Sequence, residues 1–205
     1  MSNEVKTKEK VNMDPKYIIK LTVTLFATCV IVAGLLGLVN SVTCGPIAEI
    51  NKAKTEAAMK AVVADPENST FSEALEITGD MTAAASSAGA TVTEAYEVQV
   101  GGAPAGYALK IVSSGSQGNI EMMVGVDGEG AVTGVSIVDN SETSGIGSRV
   151  MSNENGVLDQ FIGKSSTDTP LTVGKNVDAI SGATVSSRGV TTGVNAALAV
   201  AGVMG

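Results

Sequence analysis

The residues best suited to chemistry lie in one run, Asp178-Ala179-Ile180-Ser181-Gly182-Ala183-Thr184-Val185-Ser186-Ser187. It directly precedes an apolar stripe with helical spacing: Val190, Val194, Ala197, Leu198 and Ala201. The first turn of a helix leaves backbone N–H groups without intrahelical partners and carries partial positive charge, so it attracts anions. Gly182 and Ala183 are small enough for a bulky anion to reach that backbone, and Thr184 has its hydroxyl where a phosphate would sit. The same spacing fits a capping turn in which Ser181 or Thr184 bonds the first free amides, with Asp178 as an ordinary turn residue. Spacing alone leaves the phosphate site and the cap as alternatives.

A second candidate is Glu142-Thr143-Ser144-Gly145-Ile146-Gly147. Gly145 and Gly147 can take positive φ and let the backbone approach a planar ring, although Gly-x-Gly after a strand also makes a plain loop. Arg149 and Lys175 could offset phosphate charge or simply face solvent. Met122 and Met123 suit core filling better than ligation.

Composition narrows the chemistry further. The 205 residues contain no His and no Trp, which removes the commonest general base, the usual Ser-His-Asp arrangement and the commonest metal ligand. Reactivity must come largely from a cofactor. Cys29 and Cys44 are too few for a zinc or iron–sulfur site within this chain, so no metal site is expected. On one helix they would stand about 22 Å apart, beyond disulfide reach. The first 20 residues are net positive, with five Lys against Glu4, Glu9 and Asp14, and the remainder is strongly acidic. That charge repels phosphate backbones and excludes nucleic acid as a partner.

The elements that must position these residues follow from periodicity. Residues 1–16 read as a disordered cytoplasmic tail and 17–40 as a transmembrane helix, since Leu21 to Val39 holds no charge and the run can cross about 30 Å of hydrocarbon. A cleaved signal peptide is the alternative, with a shorter apolar core. Lys6, Lys8, Lys10, Lys16 and Lys20 precede the span, which places the N-terminus in the cytoplasm and the C-terminal domain outside, on a single-pass cell-membrane protein. Thr22, Thr24 and Thr28 could line one face toward partner spans or bond back to their own helix.

Gly45-Pro46 marks a boundary, followed by an amphipathic helix ending near Asp65-Pro66 and a linker containing a short helix, together residues 41–90. Residues 91–205 form the main domain. Tyr96, Val98 and Val100, then Tyr107, Leu109 and Ile111, then Ile120, Met122, Val124 and Val126 alternate as half-buried strands. Asp127-Gly128 turns the last of these back through residues 131–138 into an antiparallel meander. Helices at Val157–Ile162 and near the C-terminus cover one sheet face. The fold class is α+β: one N-terminal transmembrane helix, then an antiparallel sheet packed with helices.

The run from Asp178 through Thr184 resembles the flavinylation motif of the FMN-binding domain family, an Asp followed by Ser/Thr-Gly-Ala-Thr/Ser, and matches it at every motif position. In that family a flavin transferase joins the final hydroxyl to the FMN phosphate by a phosphoester bond. The resemblance implies covalent FMN on Thr184, with Asp178, Ser181, Gly182 and Ala183 around the attachment. Glu142 to Gly147 resembles the family loop Glu-Thr-Pro-Gly-aliphatic-Gly that lies along the flavin, with Ser144 in place of the stiffer Pro. It implies Glu142, Thr143, Gly145, Ile146 and Gly147 as cofactor-binding residues.

The order of the motifs behind one span, over most of residues 17 to 202, is similar to the G subunit of Rnf complexes and to the C subunit of the sodium-pumping NADH:quinone oxidoreductase. The short chain fits the Rnf subunit better. The resemblance implies an electron-transfer subunit without a complete active site of its own. Its complex would couple ferredoxin oxidation and NAD reduction to sodium or proton translocation. The implied partners are other membrane and redox subunits, the flavin transferase and the lipid bilayer. The alternatives are a quinone-linked pump or another extracellular electron path, and a cofactor-free membrane-tethered scaffold in which the Ser-Gly-Ala-Thr turn is only a helix cap.

Overall fold

The computed structural model describes residues 15–168 and 170–204. Pro15 and Lys16 already belong to the first helix, and the rest of the expected tail lies outside the described residues. The chain divides into two compact units, Met1–Asn51 and Lys52–Gly205. Residues 52–90, expected to be helix and linker, therefore belong to the second unit.

In the first unit, helix α1 (Pro15–Ala61) is long and apolar enough to cross a membrane, and residues 15–51 are exposed throughout. The 24 residues from 17 to 40 rise about 36 Å, sufficient for the hydrocarbon core. Thr22, Thr24 and Thr28 donate to the carbonyls of Ile18, Lys20 and Leu25, so their hydroxyls are satisfied within the helix. The boundary expected at Gly45-Pro46 is absent, because α1 continues through Pro46. An interior Pro removes one helical hydrogen bond and costs about 3 kcal/mol. Helix-favouring sequence on both sides, Leu- and Val-rich before and Ala-, Glu- and Lys-rich after, offsets it.

The second unit is built on five antiparallel strands in the order β1-β2-β3-β4-β5. They are β1 (Ser69–Phe71), β2 (Ala90–Val100), β3 (Ala103–Ser114), β4 (Asn119–Asp127) and β5 (Val132–Asn140). The meander follows the period-two patterning and the Asp127-Gly128 turn, where the Asp127 carboxylate accepts the amides of Glu129 and Ala131. Short edge strand β1 pairs Ser69–Phe71 with Val100–Val98. On one sheet face, Leu109, Ile111, Ile120, Met122 and Val124 pack against α4 (Thr184–Met204) and α2 (Gly79–Ser87).

The other face is also covered. Ala58 and Met59 from the end of α1, with Val62 just beyond it, pack on Val98, Ala108, Met123 and Val138. The strands are consequently not simply half-buried: β4 is buried on both faces from Met122 to Val126. Gly125 and Gly134 stand opposite each other in the β4–β5 ladder and leave the space that the chain at Val62 occupies. A Cβ on Gly134 would come within 2.8 Å of the Val62 Cα.

Two other expectations are corrected. Val157, Leu158, Phe161 and Ile162 do not form an α-helix; the segment contains short 3-10 turns at Glu154–Gly156 and Asp159–Phe161. Asn153, Asn155, Gly156 and Gly163 take positive φ and interrupt the helix, while Leu158 and Phe161 still reach the core. The second covering helix is instead α2, within the stretch expected to be a linker containing a short helix. Thr78 caps it by accepting the Met81 amide at 3.3 Å, Asp80 lies in its first turn, and Met81 and Ala85 anchor it in the core.

On the α1-covered face, the Tyr96 hydroxyl donates to Glu94 at 2.6 Å and Lys110 donates to the same carboxylate at 3.0 Å. Burial, then the hydrogen bond to Glu94 and its negative charge, push the Tyr96 phenol up to about 12. A raised folded-state pKa contributes stability that is complete below the unfolded value near 10 and is lost as pH rises toward 12. Denaturant unfolding at pH 8 and pH 11 will therefore show an alkaline loss of stability that shrinks in Tyr96→Phe. An equal loss in both proteins would assign it to other groups.

Candidate functional site

The last helix begins where the sequence places it. Gly182 turns the chain with φ +84°, a conformation that costs glycine little, and α4 starts at Thr184. The first intrahelical bond runs from the Ser187 amide to the Ala183 carbonyl at 2.9 Å. The amides of Thr184, Val185 and Ser186 therefore lie ahead of the ladder, where an anion would find them.

The hydroxyls of this turn differ in what they do. Ser187 donates to the Ala183 carbonyl at 3.0 Å and accepts the Ile180 amide at 3.4 Å. Ser186 donates to Glu142 at 2.8 Å, and both serines are buried. Thr184 and Ser181 are exposed, and among the described residues neither hydroxyl makes a hydrogen bond. The capping turn expected as the alternative is thus not formed by Ser181 or Thr184; Ser187 supplies the side-chain contact back to the turn.

Thr184 opens onto a cleft of about 320 Å³ lined by Ser116, Gln117, Glu142, Thr143, Ile146, Gly147 and residues 182–186. Ile146 and Val185, each 52% exposed, give it apolar surface beside the amides of the helix end. The cleft thus combines an exposed hydroxyl, an anion-attracting helix terminus and an apolar flank, a donor set that fits a flavin mononucleotide. The loop contributing Glu142, Thr143, Ile146 and Gly147 folds back on itself. The Ile146 and Ser148 amides both donate to the Thr143 carbonyl, and the Gly145 amide donates to Ser148 Oγ at 2.8 Å. It leads into the short helix α3 (Gly147–Met151).

The structure does not bring all the sequence candidates together. Gly145 is an exposed turn residue with φ +83° and does not line the cleft. Asp178 and Ser181 line a separate cleft of about 530 Å³ with Arg149, Glu154 and Gln160. Gln160 accepts the Asp178 amide at 2.7 Å and donates to its carbonyl at 3.0 Å, so a side chain holds the motif as a neighbouring strand would. Arg149 is engaged by Glu154 at 2.8 and 2.6 Å; these hydrogen bonds, then the carboxylate charge, raise its pKa. Lys175 lies exposed in a turn and lines neither cleft.

Sequence reasoning missed Ser116, Gln117, Ser186 and Gln160 as site-building residues. The first two lie in the β3–β4 turn, whose Gly115 and Gly118 were the available signal, and Ser186 sits in the quoted run two residues beyond Thr184. Nothing local marks Gln160.

Comparison with known proteins converges on the same segment. The model of the FMN-binding domain matches residues 115–199, which include every residue lining the Thr184 cleft. The chain is 35% identical to the G subunit of the Na(+)-translocating ferredoxin:NAD(+) oxidoreductase complex of Acetobacterium woodii, over 96% of this chain and 97% of that one. This chain belongs to the G-subunit family of Rnf complexes. A second family member, the G subunit of an ion-translocating oxidoreductase complex from Methanosarcina acetivorans, is 31% identical over 90% of this chain and 95% of its own length. Among solved structures, Shewanella oneidensis NqrC aligns with a TM-score of 0.42 and 21% identity, covering 67% of this chain and 66% of that chain. The two G-subunit relatives match nearly end to end, so family membership extends through α1 as well as the FMN-binding domain.

Proposed function

We propose that this chain is the membrane-anchored, FMN-bearing electron-transfer subunit of an Rnf-type ion-translocating oxidoreductase complex, with FMN esterified through its phosphate to Thr184. The observation that carries the reading is the exposed, unbonded Thr184 hydroxyl at the head of α4, inside a cleft covered by the FMN-binding domain match. FMN, when bound, supplies the one- and two-electron chemistry. Thr184 would provide the oxygen of the ester, losing its proton as the transferase breaks the phosphoanhydride bond of a flavin dinucleotide donor and a nucleoside monophosphate leaves, and the amides of residues 184–186 would orient and partly neutralise the phosphate. Ile146 and Val185 offer apolar contact to the ring, while Gly182 and Ala183 keep the approach open. Asp178 and Ser181 shape the motif from the neighbouring cleft, where a flavin transferase can grip it.

The parent complex would couple ferredoxin oxidation and NAD reduction to movement of sodium ions or protons, by analogy with the Acetobacterium woodii relative. Partner membrane and redox subunits deliver and remove the electrons. Residues 17–40 span the bilayer once, and the FMN domain, residues 91–205 with the supporting helix and sheet edge from residue 52, lies outside the cytoplasm. Co-expression of the chain with a flavin transferase, followed by intact-mass measurement and in-gel flavin fluorescence, tests the cofactor. One FMN-sized increment is expected, and an unmodified mass with an active transferase would return the chain to a cofactor-free scaffold.

Topology is tested separately by protease protection on sealed vesicles. The five lysines before the span predict that the second unit is degraded in right-side-out vesicles and protected in inverted ones. The reverse pattern would refute the orientation.

A further inference from the structure

We propose that Glu142 is a positioning residue for this flavin site, joining the three segments that wall the cleft and fixing a negative charge beside the flavin. The inference rests on the FMN reading above. Glu142 Oε1 accepts the Ser116 amide at 2.6 Å, and Oε2 accepts the Ser186 hydroxyl at 2.8 Å. Ser116 belongs to the β3–β4 turn, Ser186 to the first turn of α4, and Glu142 itself opens the 142–147 loop. One side chain therefore ties together segments 26 and 44 residues away in the chain.

The surroundings are shaped to admit this carboxylate. A Cβ on Gly115 would collide with Oε1, and one on Gly147 would collide with Oε2 and stand 2.9 Å from the Glu142 Cβ. Neither glycine adopts positive φ, so what they supply is space rather than an unusual backbone conformation. The carboxylate also meets the positive end of α4, where a negative charge is favoured, through hydrogen bonds stronger than neutral ones. A carboxylate held in the cleft wall opposes electron addition to a flavin in that cleft, because it repels the charge that reduction adds. Glu142 thus sets both the alignment of Thr184 with the opposite wall and a lower reduction potential.

The test uses the full-length chain, loaded with FMN by a flavin transferase, as wild type, Glu142→Gln, Glu142→Ala and Ser186→Ala. Loading is followed by intact mass and the midpoint potential by spectroelectrochemistry. Glu142→Gln keeps an acceptor for Ser116 and a partner for Ser186 but loses the charge, so its potential shifts positive and it loads faster than Glu142→Ala. Glu142→Ala loses the tie as well, and its loading slows by roughly tenfold, on the scale that losing an orienting hydrogen-bond partner costs at metal sites. Ser186→Ala loads more slowly at an unchanged potential. An unchanged potential in Glu142→Gln, or wild-type loading in Glu142→Ala, overturns the proposal while leaving the FMN reading intact. Failure of the wild type to load overturns the FMN reading and this inference with it. If Glu142→Ala does not fold, the potential of Glu142→Gln decides.

Discussion

Thr184→Ala abolishes the FMN-sized mass increment in chain co-expressed with a flavin transferase, and the denatured band loses its flavin fluorescence. Alanine retains the helix start and removes, among the described residues, the only hydroxyl that combines exposure, a position at the anion-attracting end of α4 and a place in the cleft. Ser186 and Ser187 cannot stand in for it. Both are buried, and both are already bonded, to Glu142 and to the Ala183 carbonyl respectively. Ser181 is exposed but lines the neighbouring cleft, so Ser181→Ala retains the increment. Thr184→Ser retains it as well, because the hydroxyl survives. The alanine variant stays folded to within about 0.5 kcal/mol, as expected for a surface substitution that breaks no bond. An increment that persists in Thr184→Ala and disappears in Ser181→Ala would move the attachment to Ser181.

Gly125→Ala destabilises the second unit by about 3 kcal/mol, the upper end of the range for overpacking a core. The added methyl would meet the Val62 carbonyl oxygen and Thr133 Oγ1. Thr133 donates to that same carbonyl at 2.5 Å, so the clash falls on a bonded pair, and a backbone atom cannot swing aside as a flexible side chain would. Relief requires lifting the end of α1 from the sheet, which exposes Ala58, Met59, Met123 and Val138 together. Denaturant unfolding of the purified chain in detergent measures the loss. Gly79→Ala, where a Cβ meets nothing within 4 Å, is the matched control and is expected to be neutral or slightly stabilising. Equal stability of the two variants would show that the α1 end does not rest on the sheet as described.

These predictions draw on unequal kinds of information. The Asp178–Thr184 motif, the apolar stretch after Lys16 and the strands from Tyr96 to Val138 were legible because each signal is carried by residues neighbouring one another in the chain. The α2 helix was equally local, with its Thr78 cap, Asp80 and alanines, but its buried stripe is only Met81 and Ala85, too short to stand out. The stripe at Val157 to Ile162 misled for the opposite reason. Its spacing is helical, yet Asn153, Asn155, Gly156 and Gly163 turn the backbone left-handed around it, and core contact alone explains the apolar residues.

The site divides along the same line. Thr184 and its small neighbours stood out as a phosphate site or a cap from adjacent residues alone, and the motif resemblance chose between the two. Which hydroxyl is left unbonded does not follow, because that depends on Glu142 taking Ser186. The sequence by itself marked the apolar stretch long enough to cross a membrane and the meander through local patterning, while the candidate attachment residue needed the resemblance to the flavinylation motif as well. Only the tertiary structure decided that Asp178 and Ser181 face another cleft, that Gln160 holds the motif's backbone, and that Glu142 closes the wall. Each of these depends on contacts between residues 18 to 44 apart in the chain, which form only in the folded chain and leave no local pattern.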